Sequence, residues 1–226
     1  MENRRINRSD LTDIRLPRYI VIEGPIGVGK TTLARLLAES LNCATLFEDA
    51  DSNPFLPRYY AGEKNAALST QLFFLMQRAQ QMQELRQEDL FATIRVADFL
   101  MEKDRLFAEV TLDSDELQLY ESVYEHLTIN AAQPDLVIYL QAPTNVLLER
   151  IHKRAIRAEQ QITRDYLDRL NAAYSRFFHF YDKAPLLIVN AADIDWVNNI
   201  TDYNNLVRYL LGISHGRHYY NPRPAL

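Results

Sequence analysis

The sequence predicts an α/β protein built on a parallel β-sheet with helices on both faces. Three observations predict it. Short apolar runs alternate about five times with longer stretches of helical spacing. The runs are near-continuous rather than alternating, as strands buried on both faces require. Three of the chain's six glycines, Gly24, Gly27 and Gly29, crowd into the loop after the first run.

Residues 1–17 are polar and read as a flexible arm, followed by a single domain over 18–212 and a polar tail over 213–226 that contains Pro222 and Pro224. Tyr19 to Ile22 is the first strand and stops at Gly24. Leu33, Leu36, Leu37 and Leu41 have helical spacing. Ala44 to Phe47 is a second strand, and Asn53-Pro54 opens a short helix. Residues 64–88 form a long helix with Leu68, Leu72, Leu75, Met76, Ala79, Met82 and Leu85 on one stripe. Thr93 to Ala97 is a third strand, and residues 100–128 alternate helix and turn. Asp135 to Leu140 and Leu186 to Val189 are the fourth and fifth strands. Helices are expected over 144–157, 163–182 and 197–211.

Composition excludes several classes. The single cysteine, Cys43, can make neither an internal disulfide nor a zinc site. With no apolar stretch after Arg4, Arg5 and Arg8, no secretory signal is read, and the cytoplasm is the expected compartment. No apolar run is long enough to span a bilayer, so no membrane partner is expected. A net charge of −5 argues against a nucleic-acid partner but leaves room for a local basic pocket.

The loop Gly24-Pro25-Ile26-Gly27-Val28-Gly29-Lys30-Thr31 satisfies G-x-x-x-x-G-K-[ST] in full, with a strand before it and a helix after it. Backbone N–H groups must turn inward around phosphate oxygens, and glycine permits that path without a Cβ clash. The positive end of the next helix faces the same anion. Gly24, Gly27, Val28, Gly29, Lys30, Thr31 and Thr32 are therefore the expected ATP-binding residues, with the Thr31 hydroxyl a ligand for Mg²⁺. The fold class sharpens to a P-loop kinase fold: a five-stranded parallel sheet flanked by helices.

Switch GTPase elements DxxG and NKxD are absent, and Arg95 interrupts the apolar run that a motor ATPase needs before its acid. A small-molecule kinase remains. Strand ends deliver Glu48 and Asp98 to the edge where ligands bind. One carboxylate beside the acceptor hydroxyl and one beside the metal suit phosphoryl transfer to an alcohol, or these are surface and capping acids. Gln71, Phe74 and Arg78 at i, i+3, i+7 share a helix face, where they could read a planar heterocycle or simply pack. Arg150, Lys153, Arg154 and Arg157 form a basic run that serves either as a lid over the transferring group or as a solvated face.

These residues resemble the deoxynucleoside kinase family, especially its bacterial deoxyguanosine and deoxyadenosine kinase branch, from about Arg18 to Trp196. The resemblance implies a general base at Glu48, in Phe47-Glu48-Asp49 followed by Asn53-Pro54-Phe55-Leu56. It implies sugar contacts at Tyr60 and Glu159 and base contacts at Gln71 and Arg78, with Asp104 paired to Arg78. It implies a short arginine-bearing lid at about 150–160, with Arg150, Arg154 and Arg157 as its cations. Asp98 is expected near both metal and acceptor. The family's arginine after the third-strand acid is replaced by Phe99, which moves the phosphate contacts to the lid. The resemblance further implies a homodimer and a deoxynucleoside acceptor, deoxyadenosine or deoxyguanosine with deoxycytidine open. A thymidylate-type monophosphate kinase and an inactive nucleotide-binding sensor stand as alternatives.

Overall fold

The computed structural model describes residues 5–7, 11, 16–88, 94–128 and 131–222. Six parallel strands form one sheet in the order β2-β3-β1-β4-β5-β6. They are β1 Tyr19–Glu23, β2 Ala44–Leu46, β3 Arg95–Ala97, β4 Leu136–Gln141, β5 Leu186–Asn190 and β6 Arg217–Tyr220. The helices are α1 Lys30–Leu41, α2 Leu56–Tyr60, α3 Ala67–Glu88, α4 Lys103–Thr111, α5 Ser114–Thr128, α6 Thr144–Arg154, α7 Arg164–Phe180 and α8 Ile200–Leu211. Thr93, expected to start the third strand, lies outside the described residues.

The alternation of side chains along each strand divides the core in two. Ile20, Ile22, Val96, Ile138 and Leu187 face the layer that contains α1 and α8. Tyr19, Val21, Val137, Tyr139 and Ile188 face the layer of α3, α4 and α7. In the second layer Tyr139 stacks on Phe178, with ring centroids 4.1 Å apart. The chain leaves β1 for the edge strand β2, returns to β3, and then crosses to β4 on the other side of β1. That reversal opens a crevice beyond the carboxyl end of β1.

The sheet has six strands, not the expected five. The sixth comes from the segment expected to be a polar tail. An edge strand needs no continuous apolar run, and the residues of β6 are exposed or half-buried. Its Arg217 guanidinium donates to the carbonyls of His179 and Tyr181, at 2.9 and 3.1 Å. Ile213, just before β6, is buried. At the other terminus Ile6 and Leu11 are buried in the first core layer, and Ile6 N–H donates to Asn204 Oδ1 at 2.9 Å. The stripe on α3 is also turned. Leu75, Ala79, Met82 and Leu85 are buried, but Met76 is 63% exposed. The buried face of α3 includes Gln71 and Arg78 instead, which no apolar count would favour.

Removing residues 213–226 should leave α1 and the phosphate loop folded but bare the edge of β5. Losing the Ile213 burial and the guanidinium bonds should cost about 2–3 kcal/mol, or about 4–12 °C in Tm for a domain of this size. A thermal melt of the truncated chain unchanged from that of the full chain would show that β6 does not brace the sheet.

Candidate active site

The glycine loop leaves β1 at Glu23. Gly24 has φ 151°, and a Cβ there would lie 2.5 Å from the Leu140 carbonyl oxygen. Gly29 caps α1 at φ 104°, and its Cβ would press on the Trp196 ring at 3.0 Å. Both positions therefore demand glycine. Lys30 folds back onto the loop, donating to the Gly24 and Pro25 carbonyls at 2.7 and 3.2 Å. Burial, helped by Lys103, pushes its ammonium down to about 8. Gly27, Val28, Gly29 and Thr32 line a cavity of about 830 Å³, with Trp196 among its other walls.

Glu23 is fully buried and carries no signal in the sequence beyond standing between the first strand and the glycine loop. Its Oε1 accepts from Gly24 N–H at 2.9 Å and from the Tyr174 hydroxyl at 2.8 Å. Its Oε2 accepts from Leu100 N–H at 2.7 Å. One carboxylate thus joins the loop, the chain after β3 and α7.

Asp98, also buried, accepts from Thr31 Oγ1 at 2.5 Å and from Glu48 N–H at 2.9 Å. The Glu48 side chain bridges two cations: Arg78 Nη2 on Oε1, and Lys103 Nζ on Oε2 at 3.2 Å. The other arm of Arg78 bonds Asp104. Burial pushes the Asp104 carboxyl up to about 6, against the pull of Arg78 and Lys103. Burial likewise pushes Lys103 down to about 8. Arg78 lies over the rings of Phe74 and Phe99, at 5.0 and 5.8 Å. Gln71 Nε2 donates to Thr111 Oγ1 at 3.3 Å.

Thr31, Glu48, Gln71, Phe74, Arg78, Asp98 and Lys103 line a second cavity of about 160 Å³ together with Gly27 and Lys30, and Asp104 stands behind Arg78. Thr70 Oγ1, Arg78 Nε and Asp104 Oδ2 are buried polar atoms with no protein partner among the described residues. Unpaired buried groups of that kind call for a ligand or water with several polar edges. Tyr60 and Glu159 line the same cavity. Burial, then the Glu159 charge, raises the Tyr60 hydroxyl well above its ordinary value, so it stays a donor at neutral pH.

The basic run divides. Arg154 lines both cavities and is paired with Glu159, at 2.5 Å from Nη2 to Oε1. Arg150 lines the larger cavity only, donating to the Val28 and Ala191 carbonyls at 3.2 and 2.7 Å. Arg157 is exposed at the start of the turn after α6. Among the cations, Arg154 alone joins Lys30 and Lys103 along the acceptor cavity beside Arg78. Lys103 is the residue that spacing did not reveal: it follows Asp98 by five positions, on the first turn of α4.

A parallel sheet with a phosphate loop at its switch point, a donor cavity and an acid-lined acceptor cavity defines the chain as a P-loop kinase. The family model described as deoxynucleoside kinase matches residues 20–211, and the chain belongs to that family. It is 32% identical to a deoxyguanosine kinase of Bacillus subtilis over 197 residues, covering 85% of this chain and 95% of that one. It is 30% identical to a deoxyadenosine kinase of Lactobacillus acidophilus over 205 residues, covering 84% and 94%. A solved deoxyadenosine kinase from M. mycoides with bound dATP superposes with a TM-score of 0.73 at 25% identity, covering 84% of this chain and 99% of that one.

Two predictions follow from the geometry. Glu23→Gln replaces an acceptor by an amide that must face a backbone N–H. It should destabilise the fold by about 1–3 kcal/mol, read as a lower denaturation midpoint, and an unchanged midpoint would remove Glu23 from its bracing role. Separately, as pH falls through about 6, Asp104 takes up a proton and releases its grip on Arg78. Nucleoside affinity should then weaken by up to about tenfold per unit, and Asp104→Asn should lose that dependence. The sign for stability is opposite. The folded value lies above that of a free carboxyl, so Asp104 favours the folded state at low pH, and that contribution is lost as pH rises toward and through about 6. Calorimetric titration of nucleoside between pH 5 and 7 would separate the two effects.

Proposed function

We propose that the chain transfers the γ-phosphoryl group of ATP to the 5′-hydroxyl of a deoxynucleoside, with deoxyadenosine or deoxyguanosine as acceptor. The observation that carries the reading is Glu48. It stands where the acceptor cavity meets the phosphate loop, fixed at its backbone by Asp98 and at its side chain by Arg78 and Lys103.

Glu48 accepts the proton as the 5′-oxygen attacks the γ-phosphorus. The bond from phosphorus to the bridging oxygen breaks, and ADP leaves. Lys30, released from its own loop carbonyls, follows the charge on the transferring oxygens, and Arg154 closes from the lid side. Gln71 and Arg78 meet the base edge, Phe74 supplies an apolar wall, and Asp104 fixes Arg78. The Tyr60 hydroxyl and Glu159 hold the sugar. The paired oxygens of Thr31 and Asp98 fit Mg²⁺, which takes oxygen ligands and completes its shell with water and phosphate. When bound, the ion supplies Lewis-acid neutralisation of the phosphate oxygens.

A purine acceptor is supported by the names of the two bacterial relatives. A homodimer is supported by apolar side chains left bare on α5 and α7, Leu119 at 53% and Phe180 at 75% exposure. A cytoplasmic setting rests on the composition. Among the described residues no helix is long and apolar enough to cross a membrane.

Glu48→Gln should keep nucleoside binding and lower kcat by about 10²–10⁴, measured as nucleoside-dependent ADP release. Near-normal turnover would assign the base elsewhere. A panel of the four deoxynucleosides should show the purines ahead, and a preference for 5′-monophosphates would place the chain with monophosphate kinases in function.

A further inference from the structure

Glu48 has both carboxylate oxygens engaged, one by Arg78 and one by Lys103. A base must free one oxygen for the hydroxyl it deprotonates. The two cations differ in what else they do. Arg78 has a second partner in Asp104, a buried Nε without a partner, and a place in the cavity wall, so it is equipped to turn to a ligand. Lys103 has Glu48 as its ion-pair partner and is only 3% exposed. It cannot follow solvent or leave without stranding a buried charge, which is strongly unfavourable.

We propose that Lys103 is the positioning residue of the phosphoryl transfer: it holds Glu48 Oε2 so that Oε1, once Arg78 turns to the base, points at the acceptor hydroxyl. This rests on Glu48 being the general base. The surroundings suit a retained cation. Burial pushes the Lys103 ammonium down to about 8, and Arg78 on α3 adds to that, but Glu23 from β1, Asp98 after β3 and Asp104 on α4 each favour the charged form; Lys30 on α1 is itself lowered by Lys103. With the arginine site after Asp98 occupied by the buried ring of Phe99, Lys103 is the cation that α4 brings to the acid. The lid then need not supply every positive charge at the reacting end. Arg154 serves the phosphate from outside, and Lys103 serves the base from within.

The test is a cycle of Lys103→Met, Lys103→Arg, Glu48→Gln and the double variant Glu48→Gln/Lys103→Met. The probes are ATP, Mg²⁺ and deoxyadenosine, or deoxyguanosine if that turns over faster. Lys103→Met should lower kcat by about 10² or more, the lower bound for a base, while the calorimetric Kd for the nucleoside stays within about threefold. Lys103→Arg should restore kcat to within about tenfold of the native chain. In the Glu48→Gln background Lys103→Met should add less than about threefold, because residues acting as one unit are not additive. Full additivity, or a Lys103→Met kcat within threefold of native while Glu48→Gln collapses, would overturn the role of Lys103 alone. If Lys103→Met loses binding and melts early, Lys103→Arg decides: restored kcat supports positioning and an unrestored one overturns it. Native turnover in Glu48→Gln would overturn the base and Lys103's role with it.

Discussion

The carboxylate of Glu23 joins three parts of the chain. It takes the first N–H of the glycine loop, the N–H of Leu100 beyond β3, and the hydroxyl of Tyr174 on α7. A phosphate loop is a run of backbone in conformations that favour no side chain, so its path must be held from outside. Glu23 holds the start of it, and the Trp196 ring closes on Gly29 at the other end. The same carboxylate sets where the chain turns after Asp98, and hence where α4 begins. Lys103 and Asp104 inherit their positions from that turn. Tyr174 in turn is fixed by its near-parallel stack on Tyr139, 5.9 Å between centroids. The chain of support runs from the apolar layer of α3, α4 and α7 to the charged groups that α3 and α4 carry.

Those charged groups are not there for stability. Burying Glu48, Arg78, Asp104 and Lys103 together costs desolvation that their mutual attraction only roughly repays, and apolar residues of equal volume would do as well or better. The orphaned atoms on Arg78 and Asp104 worsen that balance. Such a cluster makes sense when a ligand completes it. A heterocycle with acceptors on one edge would engage Arg78, which lines the cavity, and draw it off Glu48. In the proposed function, recognition of the base and release of Glu48 use one guanidinium, so an empty cavity keeps the acid occupied.

Much of this was legible in the residues. The glycine loop declares itself because its spacing has one physical purpose, and Glu48 and Asp98 declare themselves because strand ends are where a parallel sheet binds ligands. Gln71, Phe74 and Arg78 share a face by helical arithmetic alone, and the structure buries all three. Other features leave no local trace. Glu23 reads only as the residue between the first strand and the glycine loop, since its partners lie up to 151 positions away. Lys103 reads as one charge among Glu102, Asp104 and Arg105, and only the fold buries it while leaving Arg105 at 56% exposure. β6 was hidden because an edge strand needs little apolar patterning. Arg150 reads as a lid cation from composition; the fold sets it in the wall of the larger cavity, bonded to the Val28 and Ala191 carbonyls.

The site's two halves stand on different supports. The donor half is braced by Arg150 across to Ala191 and by the N-terminal arm, where Arg5 donates to the Val197 carbonyl at 3.3 Å. The acceptor half stands on α2, α3 and α4. Between them the lid is joined to α6 at Ala155, whose φ of 56° costs a non-glycine residue roughly 1–2 kcal/mol. Gln160 Nε2 helps hold that bend by donating to the Ile151 carbonyl at 3.0 Å, and Arg154 holds it through Glu159. In the proposed reaction both lid contacts use groups that are needed elsewhere, Arg154 for phosphate and Glu159 for the sugar. A nucleoside and a triphosphate arriving together therefore compete for the bonds that keep the lid in its present shape. The strained joint at Ala155 is where the chain can yield without disturbing either half.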